Sequence, residues 1–162
     1  MFGAGGGTSS YREVEDTDLI VLWGSNARET HPIFFHHVLK AVNKGARLYA
    51  VDPRRTSSAE WADGWLGLDV GSDIALANAI GREIIAAGLE NREFIDRATE
   101  DFEAYMAGVE SYTLEYAERE TGVVDNDGGN TRWHLAFIRD QERCGASRHR
   151  LLEKIMGIEA FA

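Results

Sequence analysis

The chain has 162 residues, 44% of them hydrophobic and 27% charged, which suits one globular domain with a buried core. Its formal net charge of −10 argues against non-specific nucleic-acid binding, which needs a basic face, but not against a nucleotide held by backbone N–H groups and a few arginines. No apolar run approaches the roughly 20 residues of a membrane span and residues 1–10 lack a leader pattern, so a cytoplasmic location is expected.

The first structured segment is Asp18-Leu19-Ile20-Val21-Leu22-Trp23, which stops at Gly24-Ser25-Asn26. It is too short for a helix and rich in branched residues, so it predicts a strand buried on both faces. Pro32 is a good first helical residue, and Phe35, Val38, Leu39 and Val42 recur at helical spacing before a stop at Lys44-Gly45. Arg47-Leu48-Tyr49-Ala50-Val51 predicts a second strand, ending at Asp52-Pro53. Strand, loop, helix and strand within about 35 residues is the length of a βαβ unit.

A short helix is expected over residues 57–62, and a third strand at Trp65-Leu66-Gly67-Leu68. Gly71-Ser72-Asp73 then opens a helix with Ile74, Ala77, Ile80 and Ile84 on one face and Gly88 as its stop. Residues 91–121 read as helical throughout, with Phe94 and Ile95, then Phe102, Tyr105 and Met106, then Leu114 and Ala117. Residues 125–130 are expected to form a turn or linker, and a tail helix is expected beyond it, with Leu151, Leu152, Ile155 and Ile158 on one face. The alternation predicts an α/β fold: a Rossmann-like, doubly wound, largely parallel sheet with flanking helices.

Ligands of open parallel sheets bind beyond the carboxyl ends of the strands. Three loops are predicted there: Gly24-Ser25-Asn26, Asp52-Pro53-Arg54-Arg55 and Val70-Gly71-Ser72-Asp73. Gly24 allows close backbone approach, and Ser25 and Asn26 add short donors and acceptors. Asp52 can accept from ribose hydroxyls or a guanine edge, and Arg54 and Arg55 can pair with phosphate. Asp73 can accept from the guanine N1–H and amino group. Taken singly, the Asp-Pro pair also reads as a turn and Gly-Ser-Asp as a helix cap.

Other chemistries find less support. Residues 3–8, Gly-Ala-Gly-Gly-Gly-Thr, lack the preceding strand that a dinucleotide fingerprint needs, and no Walker pattern occurs. His36 and His37 are adjacent and diverge by about 100° on a helix. His31, His134 and His149 lie elsewhere, and Cys144 is the single cysteine, so neither a catalytic residue nor a protein-bound metal is expected from this chain.

Longer stretches carry a family resemblance. Residues 15–32, Glu-Asp-Thr-Asp-Leu-Ile-Val-Leu-Trp-Gly-Ser-Asn-Ala-Arg-Glu-Thr-His-Pro, resemble the signature of molybdopterin oxidoreductases, and among these the formate dehydrogenase alpha subunits. Residues 45–56, then Ala62-Asp63, Leu68, Gly71, Asp73, Ile74 and Ala75, and further positions up to residue 123, continue the likeness. The resemblance implies that residues 1–123 are part of the domain binding molybdopterin guanine dinucleotide, with Asn26, Glu29, Asp52, Arg54, Gly71 and Asp73 lining its guanine and ribose-phosphate part. Residues 124–162 are expected to be a linker and an unassigned tail. It further implies a bis-pterin cofactor with molybdenum or tungsten, oxidation of formate to carbon dioxide, and electron transfer through iron–sulfur clusters to partner subunits.

The family's cysteine or selenocysteine metal ligand and its cluster cysteines have no counterpart in the matching segment, so a fragment inactive without the rest of the catalytic subunit is expected. Two alternatives are a non-catalytic scaffold like that of respiratory NADH dehydrogenases and a stand-alone nucleotide-binding module.

Overall fold

The computed structural model describes residues 10–123, which fall into two units at residues 67 and 68. The glycine stretch at residues 3–8 and the features assigned to residues 125–162 lie outside the described residues.

In the first unit, a 3-10 turn at Glu13–Asp16 leads into β1 (Leu19–Trp23), a short helix α1 (Ala27–Thr30) and the longer α2 (Pro32–Asn43). The chain returns as β2 (Arg47–Val51), makes a 3-10 turn at Ala59–Trp61 and enters β3 (Gly64–Leu66). The strands form one sheet in the order β1-β2-β3, parallel throughout, with Leu19 opposite Arg47 and Tyr49 opposite Gly64. All three carboxyl ends therefore lie on one edge, as the alternation of strand and helix requires.

The third strand is shorter and earlier than its sequence suggests. Asp63 fixes where it starts: its N–H donates to Leu48 O at 2.7 Å, while its carboxylate accepts from Leu48 N at 2.9 Å and from the Arg47 guanidinium. Pairing with β2 sets the register, and Leu68 is buried without belonging to the ladder.

The core of this unit joins Ile20, Leu22 and Leu48 of the sheet to Phe35, Val38 and Ala41 of α2. Leu39 and Val42 pack at its margin, so the predicted helical stripe faces the sheet with Ala41 added at its centre. Central β2 buries Leu48, Tyr49, Ala50 and Val51 in succession, the signature of a strand covered on both sides.

The 3-10 turn is tied to α2 by charge. Glu15 Oε1 lies 2.5 Å from His37 Nδ1 and 3.0 Å from Lys40 Nζ, with Lys44 Nζ donating to the Glu15 carbonyl at 3.1 Å. The hydrogen bond from Lys40, then that from His37, hold the Glu15 carboxyl at about 2, against an ordinary 4.5. A depressed carboxylate pKa adds stability above the unfolded value and loses it as pH falls through the folded one. The chain is therefore expected to lose melting temperature between pH 4.5 and about 2. Glu15→Gln should flatten that slope in a pH series of thermal melts, and an unchanged slope would show that the cluster carries no stability.

The second unit is helical: α3 (Asp73–Ala86), α4 (Arg92–Ala98), α5 (Phe102–Val109) and α6 (Leu114–Thr121). Side chains cap two of these helices, Asn91 accepting from Phe94 N and Thr113 from Tyr116 N. The buried stripe of α3 is Ala75, Leu76, Ala79 and Ile84. This corrects the predicted face: Ile74 is 70% exposed and Ala77 is exposed too. The helix is apolar on more than one side, so two overlapping stripes satisfy a 3.6-residue period and spacing alone cannot choose between them.

Candidate cofactor-binding site

At the carboxyl end of β1 the chain turns through Gly24, with φ +58, and the Gly24 N–H donates to Val51 O at 2.8 Å. An L side chain in this left-handed conformation costs roughly 1–2 kcal/mol, which is why glycine belongs here. Ser25 and Asn26 follow, both partly buried, and α1 begins with buried Ala27.

Helix α1 is fastened to the segment after β2 by two serine hydroxyls. Ser58 Oγ accepts from Arg28 N at 2.9 Å and donates to Asn26 Oδ1 at 3.1 Å. Ser57 Oγ stands 2.8 Å from Glu29 Oε1 and 3.1 Å from Asn26 Oδ1. Its single proton favours the ionised carboxylate, the stronger acceptor. Hydrogen bonds from Ser57 and then from Asn26 keep the Glu29 carboxyl below its ordinary value. Arg28 reaches Ser57 O at 3.5 Å and Glu60 at 3.6 Å.

Asp52 closes β2 and is only 6% exposed. Its Oδ1 accepts from Arg54 N at 2.8 Å, an Asx turn that reverses the chain past Pro53. Its backbone is fixed as well, the carbonyl accepting from Trp65 Nε1 at 2.9 Å and the N–H donating to Leu66 O at 3.2 Å. Oδ2 makes no hydrogen bond among the described residues. The Arg54 side chain is 82% exposed, and its Nε lies 3.9 Å from Asp52 Oδ1, a loose pair that contributes little. Arg55 is exposed beside it. This edge can take N–H or hydroxyl donors at Asp52 and an anion at the arginines.

Gly71 and Asp73 belong to the second unit. Gly71 has φ +91 with open space where a Cβ would stand, so backbone conformation rather than crowding requires glycine there. Asp73 is the first residue of α3, not its cap; Ser72 precedes the helix and makes no side-chain cap bond, its hydroxyl donating to Asp69 O at 2.6 Å instead. The cap alternative for Asp73 is thereby corrected to a carboxylate in the first turn, where the helix dipole favours it.

The structure thus gathers Gly24, Ser25, Asn26, Glu29, Asp52 and Arg54 at one sheet edge. Sequence reasoning missed Ser57, Ser58 and the Trp65 indole; the signal for the two serines was the hydroxyl run Thr56-Ser57-Ser58 directly after Asp-Pro-Arg-Arg. Among the described residues, no group of three or more His, Cys, Asp or Glu side chains could hold a metal ion.

A parallel sheet with this loop chemistry has close counterparts. The family model of molybdopterin oxidoreductases matches residues 4–150, and the chain belongs to that family of oxidoreductase enzymes. It is 39% identical over 122 residues to the alpha subunit of F420-dependent formate dehydrogenase 1 of Methanococcus maripaludis, covering 75% of this chain and 18% of the relative. Formate dehydrogenase H of Escherichia coli is 40% identical over 121 residues, covering 75% and 17%. The solved structure of acetylene hydratase from Pelobacter acetylenicus is similar with a TM-score of 0.59 at 30% identity, covering 65% of this chain and 15% of that one. The chain spans less than a fifth of the length of these relatives.

Proposed function

We propose that this chain is a segment of a molybdenum- or tungsten-dependent formate dehydrogenase catalytic subunit, binding the guanine dinucleotide part of one of two pterin cofactors and inactive alone. The observation that carries the reading is the nearly buried Asp52 carboxylate, with one oxygen lacking a hydrogen bond among the described residues, beside the exposed Arg54 at the sheet edge. Relatives named as formate dehydrogenases support the formate assignment.

The residues present fit such a ligand. Asp52 would accept from ribose hydroxyls or a guanine edge, and Arg54 would pair with phosphate. The turn at Gly24 leaves the backbone uncovered for close approach. Glu29, ionised and held by Ser57 and Asn26, supplies a fixed acceptor beside them. Gly71 and Asp73 are assigned to the cofactor by the resemblance alone. When bound, the cofactor and its metal supply the redox chemistry that converts formate to carbon dioxide. Iron–sulfur clusters and electron-transfer subunits would receive the electrons, and the remainder of the catalytic subunit would complete the site.

The division at residue 123 between cofactor domain and tail belongs to the same proposal, although the family match runs on to residue 150. Among the described residues no helix is long and apolar enough to cross a membrane.

Calorimetric titration of the 162-residue chain with GDP and with ADP tests the reading. A carboxylate matched to the guanine N1–H and amino group leaves adenine with a mispaired edge, so GDP is expected to bind at least about tenfold tighter, the worth of one lost hydrogen bond. Equal affinities would overturn the match to guanine, and no binding of GDP would overturn the cofactor assignment.

A further inference from the structure

The Asn26 carboxamide is oriented by a buried hydroxyl of the segment that follows β2. Ser58 is fully buried, at 0% exposure, in a unit where few polar side chains are. Its oxygen accepts from the Arg28 N–H at 2.9 Å, and its one proton needs an acceptor, which Asn26 Oδ1 provides at 3.1 Å. Were the carboxamide turned over, two donors would face each other and the buried hydroxyl proton would lose its partner, a costly arrangement. Ser57 Oγ lies 3.1 Å from the same oxygen, but its one proton goes to Glu29, so Ser58 supplies the donor that fixes the carboxamide. With its oxygen turned to Ser58, Asn26 directs its NH2 group away from that hydroxyl.

We propose that Ser58 is a positioning residue, whose buried hydroxyl locks the Asn26 carboxamide so that its NH2 group is presented to an acceptor on the bound nucleotide. The inference rests on the cofactor reading for the nucleotide, but the locking of Asn26 is a property of the protein by itself. Ser58 touches no ligand; it acts through Asn26. The arrangement spans the carboxyl ends of β1 and β2, because Arg28 and Asn26 follow the first strand and Ser58 follows the second. It also couples the loop geometry to sheet register, since the serine and the amide lie 32 residues apart in the chain.

The test uses the 15N-labelled 162-residue chain, with the Asn26 side-chain amide pair assigned by its loss in Asn26→Asp, and GDP as the probe. In Ser58→Ala the Asn26 pair is expected to move to the position of a freely rotating carboxamide, and GDP affinity to fall about tenfold, the scale of one hydrogen bond. In an Asn26→Ala background the same serine exchange should cost no further affinity, which a merely structural serine would not produce. Ser58→Cys, which keeps volume and a weak donor, should fall between wild type and alanine and serves if the alanine variant loses its dispersed spectrum. An unmoved Asn26 pair in Ser58→Ala, or an equal loss of GDP affinity in the Asn26→Ala background, overturns the proposal. If wild type fails to bind GDP, the cofactor reading falls, and the Asn26 resonances alone decide whether Ser58 orients the amide.

Discussion

Exchanging Asp52 for asparagine is expected to weaken GDP binding about thirtyfold, close to 2 kcal/mol, with little change in melting temperature. The two carboxylate oxygens have separate duties. Oδ1 holds the Asx turn through Arg54 N at 2.8 Å, and an asparagine oxygen can do the same. Oδ2 makes no hydrogen bond among the described residues, and replacing it with an NH2 group turns an acceptor into a donor where the nucleotide offers its own donors. Asp52→Ala removes both duties, so it should cost stability as well as affinity. Calorimetry with GDP and thermal melts on the three proteins separate the effects. If Asp52→Asn retains wild-type GDP affinity, the aspartate is a turn residue and the proposed nucleotide contact at β2 is wrong.

How far the residues alone disclose such a site depends on the range of the interaction. The strands at Leu19–Trp23 and Arg47–Val51 are legible because each is an apolar run ended by glycine or by Asp-Pro, and the structure keeps both boundaries. Gly24 and Asp52 follow directly, since a parallel sheet fixes what lies beyond its strand ends. The start of β3 is set by Asp63 bonding to Leu48, fifteen residues back, and no local pattern contains that. For α3, Ile74 and Ala77 compete with Ala75, Leu76 and Ala79 for the same period, and only the packing of α5 and α6 on this helix decides. Glu29 enters through the family likeness, because an exposed glutamate on a four-residue helix has no pattern of its own. The hydroxyl run Thr56-Ser57-Ser58 marks the two serines but not their roles, because their partners are Asn26, Arg28 and Glu29, about thirty residues away.

Leu48→Ala is expected to destabilise the first unit by about 2–5 kcal/mol, the usual range for a buried leucine truncated in a packed core. Leu48 is 0% exposed on the central strand, opposite Ile20 in register and clustered with Phe35, Val38 and Ala41 of α2. Total domain stabilities are only about 5–15 kcal/mol, so this loss should unfold an appreciable share of the molecules at moderate urea concentration. Leu48→Met, which conserves volume, should cost under about 1.5 kcal/mol. The position also separates folding from recognition, because Leu48 and Asp52 share β2 and its loop yet only Asp52 reaches the sheet edge. GDP affinity lost in Leu48→Ala should return when an excluded osmolyte such as trimethylamine N-oxide refolds the chain, since the ligand-facing groups are intact. The loss in Asp52→Asn should persist under the same osmolyte, because there the population is folded and the acceptor is missing. A urea midpoint for Leu48→Ala within error of wild type would show that the β2–α2 interface is not the core of this unit.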